Sequence, residues 1–300
     1  MSATTTWAER FRAGQMALSE CDSLVLAVLA RHHLMTTTQL HRLLGDGRTL
    51  RQIQRTMAKL ASAGLVMRAP CRWWHALAAW YVTDTGAVAA GDADSRPAEP
   101  MTPTRATGRG QQHLLLSNEV GVLWVEALRA AGHECGPLDW EHEVLHRIAD
   151  RPSPRADCEY LKADLLIRCM LHTDSAAVGM VRFVEVDRAT ETVMTLFEKV
   201  RSYARFLSYR PRGQRRPSWQ TLYSRFPKLI VVFDGAAEAT LHRRQAALLD
   251  LCRDDIVIQP GLPDLGIYTV TVSELAHGGP LTPVFRCPGQ AKPVNVLGVG

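Results

Sequence analysis

Three acidic residues interrupt two apolar stretches in the second half of the sequence. Residues 181–187 carry Glu185 and Asp187, and residues 161–167 carry Asp164. Side chains alternate between the two faces of a strand, so Glu185 and Asp187 would share one face. Strands of this buried type normally carry no acid. The three carboxylates are therefore the first candidates for chemistry.

The segment between the two stretches is typical of a hairpin connection, since residues 171–179 contain Thr-Asp-Ser and a glycine. Adjacent antiparallel strands would bring Asp164, Glu185 and Asp187 into one cluster. Three carboxylates repel one another unless a proton or a cation neutralises them. We therefore expect a hard divalent metal, Mg²⁺ with Mn²⁺ as a substitute. The alternative is a half-exposed sheet edge whose acids are solvated.

The overall composition is that of an ordinary globular protein, with 300 residues and 46% hydrophobic residues. This length favours two domains. No apolar stretch approaches the roughly 20 residues that span a bilayer, and the N-terminus lacks a signal-peptide core. We therefore expect no membrane partner and a cytoplasmic, nucleoid- or plasmid-associated location. Seven cysteines without a CxxC pair argue against a disulfide scaffold or a zinc ribbon.

Positive charge is unevenly placed along the chain. Residues 1–113 hold 13 Lys/Arg against 8 Asp/Glu, whereas residues 114–300 hold 22 of each. Within the second half, residues 201–228 carry eight basic residues and no acid. A basic first half and a basic strip in the second indicate a polyanionic partner such as double-stranded DNA.

The first half shows the pattern of three helices followed by two strands. Asp22-Ser23 and Thr36 to Thr38 are typical helix caps, and a third helix is predicted over about 49–63. That helix ends at a glycine that leads into a strand. Its polar side chains are predicted to face outward. They include Arg48, Arg51, Gln52 and Arg55.

This arrangement resembles the winged helix-turn-helix family over roughly residues 20–90. The matching features are the short second helix, the basic third helix, the exit Leu-x-x-Ala-Gly-Leu-Val and the wing end Tyr-Val-Thr-x-x-Gly. The resemblance implies that the third helix enters the major groove, so the four outward residues would contact DNA. The alternative is a winged helix used only for protein contact, with solvated charges.

A segment rich in proline, glycine and small polar residues, 91–110, is predicted to link two domains. We therefore place the DNA-binding domain at 1–90 and a second domain at 111–300. The second domain reads as helix, strand, strand, helix, strand, helix, strand, in which 256–259 and 267–272 form a final strand pair. This order predicts an α/β fold. The helix over 192–207 would hold Lys199 and Tyr203 above the acidic strands.

Several short motifs of the second half resemble one family more closely. They are His113…Asn118, Trp140-Glu141, Ala163-Asp164, the stretch 183–191, and Lys199…Tyr203. Together they resemble the PD-(D/E)XK superfamily and, within it, the replication-relaxation family. The resemblance implies a restriction-endonuclease-like α/β domain with a mixed sheet. It also implies a DNA-nicking, relaxase-like protein of a plasmid or mobile element that works with replication or conjugation proteins.

The resemblance also assigns roles to the acidic residues. Asp164 and Glu185 match its metal-binding acids, with Asp187 as a further ligand, so that Mg²⁺ would activate an attacking water. Asp187 stands where these nucleases carry a lysine, and Lys199 would supply the missing cation. Ala163 replaces the motif proline. These departures leave open a second function, a non-catalytic regulator of replication or transcription that grips DNA or forms a homodimer.

Three further candidates each have a structural alternative. Tyr203 would be a nucleophile that links covalently to DNA, or an aromatic core residue. Glu141 would be a fourth metal ligand, or a solvated acid. The loop that contains Arg212, Arg215 and Arg216 would follow DNA phosphates, or would be solvated surface.

Overall fold

A computed structural model describes residues 14, 17–45, 47–73, 76–90, 101–150 and 159–296. The chain divides into two compact units, 1–122 and 123–300. The fold is mixed α/β, with a three-stranded antiparallel sheet in the first unit and a five-stranded mixed sheet in the second. No helix in these ranges is both long enough and apolar enough to cross a membrane.

The first unit contains five helices and three strands among the described residues, before a sixth helix that begins at Gln111. In chain order they are α1 (Glu20–His32), β1 (Met35–Thr36), α2 (Thr37–Leu43), α3 (Leu50–Ser62), β2 (Val66–Trp73), β3 (Ala76–Val82), α4 (Asp84–Ala89) and α5 (Pro103–Ala106). The sheet order is β1-β3-β2, with both pairs antiparallel. The apolar side of α3, formed by Ile53, Met57 and Leu60, is fully buried.

Capping side chains set the starts of the first three helices. Thr36 and Thr49 cap α2 and α3 through reciprocal hydrogen bonds with the third helical residue. The predicted cap of α1 at Asp22-Ser23 is wrong, because Ser19 caps that helix. Asp22 is the third helical residue, and its carboxylate accepts from the Ser19 backbone N–H at 2.8 Å.

A sixth helix, α6 (Gln111–Ala130), runs across the division between the units at Val122. Its first half is tied to the first unit by buried polar groups. The Asn118 amide donates to the carbonyl oxygens of His32 and Leu34, at 3.0 and 2.8 Å. These two carbonyls lie at the end of α1, where helical partners are lacking. The division thus lies outside the predicted linker 91–110, of which 91–100 is outside the described residues.

The second unit is built on one five-stranded sheet. Its elements are β4 (Trp140–Arg147), β5 (Tyr160–His172), β6 (Ala177–Asp187), α7 (Val193–Ser208), β7 (Lys228–Phe233), α8 (Glu238–Asp254), α9 (Leu262–Leu265), β8 (Ile267–Thr271) and α10 (Val272–Gly278). The order is β4-β5-β6-β7-β8. The pairs β4–β5 and β5–β6 are antiparallel, and the pairs β6–β7 and β7–β8 are parallel.

The helices α7 and α8 pack against one face of this sheet. Phe183 and Val231 from the strands meet Tyr203 from α7 and Leu248 from α8 in one buried cluster. The strand β7, predicted from its apolar run, lies between two parallel partners and is buried along almost its whole length. This sheet face is the one on which Glu185 and Asp187 lie.

Two strands differ from the sequence prediction. The edge strand β4 was not predicted as an element of the sheet, although it pairs along its length with β5. The predicted strand 256–259 does not form. The carboxylate of Asp255 accepts from the backbone N–H groups of Val257 and Ile258, each at 3.0 Å, and turns the chain there. Ile256 is 83% exposed as a result.

Candidate active site

Asp164 and Glu185 lie side by side on neighbouring strands. Leu165 of β5 pairs with Val184 of β6, so the next position brings the two acids together on one face. The backbone N–H of Val186 donates to Asp164 Oδ2 at 2.9 Å and fixes that carboxylate. Glu185 is only 1% exposed. A buried acid beside a second acid requires a cation or a proton.

Lys199 provides that cation from α7. Its ammonium donates to Asp164 Oδ1 at 2.9 Å and forms an ion pair with Glu185 Oε2. Glu185 Oε2 is buried and lies against this ammonium. One lysine therefore serves two carboxylates, which leaves the group one positive charge short of neutral when all three are ionised.

Tyr203 lies one helical turn after Lys199 and faces the same acids. Its hydroxyl donates to Glu185 Oε1, and its ring packs 5.1 Å from the ring of Phe183. The side chain is completely buried, and burial together with the nearby Glu185 raises the pKa of Tyr203 well above its usual range. A neutral, buried hydroxyl of this kind orients the carboxylate to which it donates.

Burial governs the protonation of the whole group. It raises the pKa of Glu185 well above its usual range, and repulsion from Asp164 adds to this, while Lys199 acts in the opposite direction. Burial also opposes the charge of Lys199, but the attraction of Glu185 and Asp164 outweighs it and raises the pKa of the ammonium. Lys199 therefore stays protonated. The raised pKa of Glu185 means that a proton or a cation is favoured beside this carboxyl group.

Asp187 binds a different cation. Nε and Nη2 of Arg244 on α8 both lie 2.8 Å from its Oδ2, and the Ala189 backbone N–H donates to its Oδ1 at 3.1 Å. Arg244 also donates to the Glu191 carbonyl at 2.8 Å. The three acids expected in one cluster are thus divided between Lys199 and Arg244. The sequence did not single out Arg244, which is one of several arginines on an ordinary amphipathic helix.

A separate group of ligand atoms lies at the end of the parallel strands. Atoms of Glu238, His242 and Glu274 lie within 4.8 Å of one another, the only such group of three among the described residues. Glu274 already binds Arg286 at 2.7 Å. Glu141, the candidate fourth ligand, forms an ion pair with Arg168.

The four residues predicted to contact DNA lie on α3 or just before it. Arg51, Gln52 and Arg55 are exposed, and Arg48 is half-buried. Gln52 also stabilises the start of the helix, since its side-chain Oε1 accepts from the Thr49 backbone N–H at 2.6 Å. Arg48 donates to the Leu44 carbonyl at 3.1 Å. The guanidinium groups of Arg48, Arg51 and Arg55 have no ion-pair partner within the described ranges.

The basic loop follows α7. Arg212, Arg215 and Arg216 are all exposed, and none of them forms an ion pair with an acid in the described part of the chain. Unpaired surface arginines on one short loop form a local positive field.

Comparison with known proteins identifies one family. The family model described as replication-relaxation matches residues 26–217, which is more than half of the chain. The match includes Asp164, Glu185, Lys199 and Tyr203 and ends before Arg244. No curated protein and no solved structure shows significant similarity. The family indicates a role in plasmid replication or transfer.

Proposed function

We propose that this chain, which belongs to the replication-relaxation family, is a metal-dependent DNA-nicking protein of a plasmid or mobile element. The observation that carries the proposal is the convergence of Asp164 and Glu185 on the Lys199 ammonium. A phosphodiester anion must be neutralised before a nucleophile can attack it, and such a group can assemble the required positive charge. The five-stranded sheet that presents the acids is consistent with a restriction-endonuclease-like domain.

The donor set at this site fits a hard divalent cation. Asp164 and Glu185 offer carboxylate oxygens, which Mg²⁺ and Mn²⁺ prefer. Such an ion, when bound, would polarise the phosphate and lower the pKa of an attacking water. Tyr203 would hold Glu185 in its orientation, and Lys199 would place a positive charge beside the phosphate. In this proposal Asp187 acts beside the site, through Arg244.

The first unit would recognise the DNA. Three helices followed by the antiparallel strands β2 and β3 are consistent with a winged helix-turn-helix, whose third helix enters the major groove. Arg51 and Arg55 on α3 would contact bases or phosphates, with Arg48 and Gln52 beside them. The loop with Arg212, Arg215 and Arg216 would add phosphate contacts in the second unit. Replication or conjugation proteins would be its partners.

The test is Glu185→Gln, which removes a ligand charge and keeps the side-chain volume. We expect this change to abolish Mg²⁺-dependent nicking of a supercoiled plasmid that carries the native locus of the protein. DNA binding in a gel-shift titration should be unchanged. Glu198→Gln is the matched control, because Glu198 lies on α7, is half exposed and pairs only with Arg201 within the described residues. It should nick like the wild type.

Nicking that survives Glu185→Gln would place the chemistry elsewhere or reveal a contaminating nuclease. The nicking assay should be repeated with Mn²⁺, which often replaces Mg²⁺ at oxygen-ligand sites.

A non-catalytic regulator is the second candidate, and one observation favours it. Asp187 occupies the place of the motif lysine and is already neutralised by Arg244. A protein of this kind would bind its DNA site, alone or as a homodimer, and leave the phosphodiester bonds intact. Tight binding without nicking by the wild type on its native locus would support the regulator and contradict the nuclease.

A further inference from the structure

We infer that the Lys199 ammonium occupies the position of the divalent cation, so that lysine and metal compete for the same two carboxylates. This inference rests on the proposed metal-dependent function and adds a means of controlling it. It concerns the contacts of the Lys199 ammonium with both acids.

Each of the two acids has one oxygen that accepts a hydrogen bond from a buried group other than Lys199. Asp164 Oδ2 accepts from the Val186 backbone N–H, and Glu185 Oε1 accepts from the Tyr203 hydroxyl. The other oxygen of each acid, Asp164 Oδ1 and Glu185 Oε2, contacts the ammonium of Lys199. A metal that is bound by both acids through these oxygens must therefore take the place of that ammonium.

The difference in exposure decides which group gives way. The side chain of Glu185 is 1% exposed and that of Asp164 is 14% exposed, whereas the side chain of Lys199 is 37% exposed. The acids are held by hydrogen bonds from buried groups. Lysine is a point charge on a flexible four-carbon stem, and its ammonium can rotate towards solvent. Metal binding should therefore displace Lys199 and leave the two carboxylates in place.

This competition has a consequence for the order of binding. Without DNA, a metal must break two ion pairs before it binds, so its apparent affinity is weak. A DNA phosphate near the site offers the displaced ammonium a new partner. Metal and DNA should then strengthen each other's binding, because coupling between two ligands is reciprocal.

The test is Mn²⁺ binding to the full chain without DNA, followed by electron paramagnetic resonance. We expect Lys199→Met to bind Mn²⁺ at least about tenfold tighter than the wild type, since an opposing unit charge a few ångströms away is removed. Lys162→Met is the control for loss of a lysine–carboxylate pair, since Lys162 pairs with the exposed Glu143 at 2.6 Å. Its Mn²⁺ affinity should equal that of the wild type.

A second variant and a second measurement guard against a folding defect in Lys199→Met. Lys199→Gln removes the charge and keeps a hydrogen-bond donor for Asp164, and it should also bind Mn²⁺ more tightly. In the wild type, amine acylation read by mass spectrometry should increase at Lys199 when Mn²⁺ is added. Labelling of Lys162 should stay constant.

Equal Mn²⁺ affinity in the wild type and both Lys199 variants would overturn the competition and leave the metal-dependent function standing. Unchanged labelling of Lys199 while Mn²⁺ binds would do the same. If Mn²⁺ binds to none of these proteins, both the inference and the proposed metal-dependent function are wrong.

Discussion

Asp187 shows how the meaning of a residue depends on its partner. From the sequence it belongs with Glu185, two positions earlier on the same strand face. In the structure its carboxylate is 6% exposed and is bound by the Arg244 guanidinium. Arginine stays charged at all accessible pH values, so this pair is a fixed ion pair and not a proton-transfer pair. It ties the end of β6 to α8.

We predict that Arg244→Ala destabilises the protein by about 3–5 kcal/mol, because a buried carboxylate loses its partner. Urea unfolding measures this change. Arg243→Ala is the control, since Arg243 is the exposed neighbour on the same helix, and it should alter stability by less than about 0.5 kcal/mol. The double variant with Asp187→Asn should lose less than the sum of the two single changes.

The opposite result would reassign Asp187. If Arg244→Ala leaves stability unchanged while Asp187→Asn weakens Mn²⁺ binding, then Asp187 is a metal ligand, as the sequence alone suggests.

At the scale of elements, the strand β4 contributes a buried histidine to the aromatic core. The ring of His146 stacks on Phe206 at 4.6 Å, and its Nε2 lies 3.1 Å from the Tyr223 hydroxyl. Burial lowers the pKa of His146 to about 4, and the positive charge of Arg168 adds to this effect. The imidazole is therefore neutral in the folded protein at neutral pH.

This burial predicts a pH-dependent loss of stability. An unfolded histidine takes up its proton near pH 6.5, whereas the folded one does so only near pH 4. Between these values the unfolded state binds more protons, so the free energy of unfolding falls as the pH drops. The total loss should be at most about 3 kcal/mol. Urea unfolding at pH 7 and pH 4.5 measures it.

His146→Phe keeps an aromatic ring in the stack and removes the titrating group. The free energy of unfolding should therefore fall less between pH 7 and pH 4.5 in this variant than in the wild type. The difference between the two proteins should be most of the loss of up to about 3 kcal/mol that His146 causes. An identical fall in both proteins would show that His146 does not contribute.

The sequence predicts elements where their pattern is local. The strands bearing Asp164 and Glu185, the helix bearing Lys199 and the apolar strand β7 all form, because run length, a Thr192 cap and helical spacing act within each segment. Five of the eight residues of β4 are charged or polar, so a search for hydrophobic runs does not find this strand. The contact between Arg244 and Asp187 depends on how α8 packs on the sheet, and the spacing of residues in the sequence does not predict that packing.

At the scale of the whole molecule, positive charge without acidic partners occurs in both units. In the first unit it lies on α3, at Arg51 and Arg55, and in the second it lies on the loop after α7. Helix residues that reach base edges give specificity, whereas arginines on a loop contact phosphates of any sequence. The two groups should therefore respond differently to the DNA sequence and to salt.

We predict distinct losses for variants of the two groups. Replacing Arg51 and Arg55 with Ala should weaken binding to the native locus by about 1–3 kcal/mol for each base contact, with a smaller effect on unrelated DNA. Replacing Arg212, Arg215 and Arg216 with Ala should weaken binding to both DNAs alike. It should also lower the slope of log affinity against log salt by up to about 3, one unit for each phosphate contact. Gel-shift titrations between about 50 and 200 mM salt measure both quantities.

Gln52→Ala separates fold from recognition within this experiment. Gln52 completes the cap of α3, so its loss should cost about 1 kcal/mol of stability whether or not it meets a base. If affinity for the native locus falls with no loss of affinity for unrelated DNA, Gln52 also reads sequence. If the Arg51 and Arg55 changes leave affinity for both DNAs intact at fixed salt, α3 is not the DNA-reading helix. The first unit would then bind a protein, and the loop of the second unit would carry the DNA contacts.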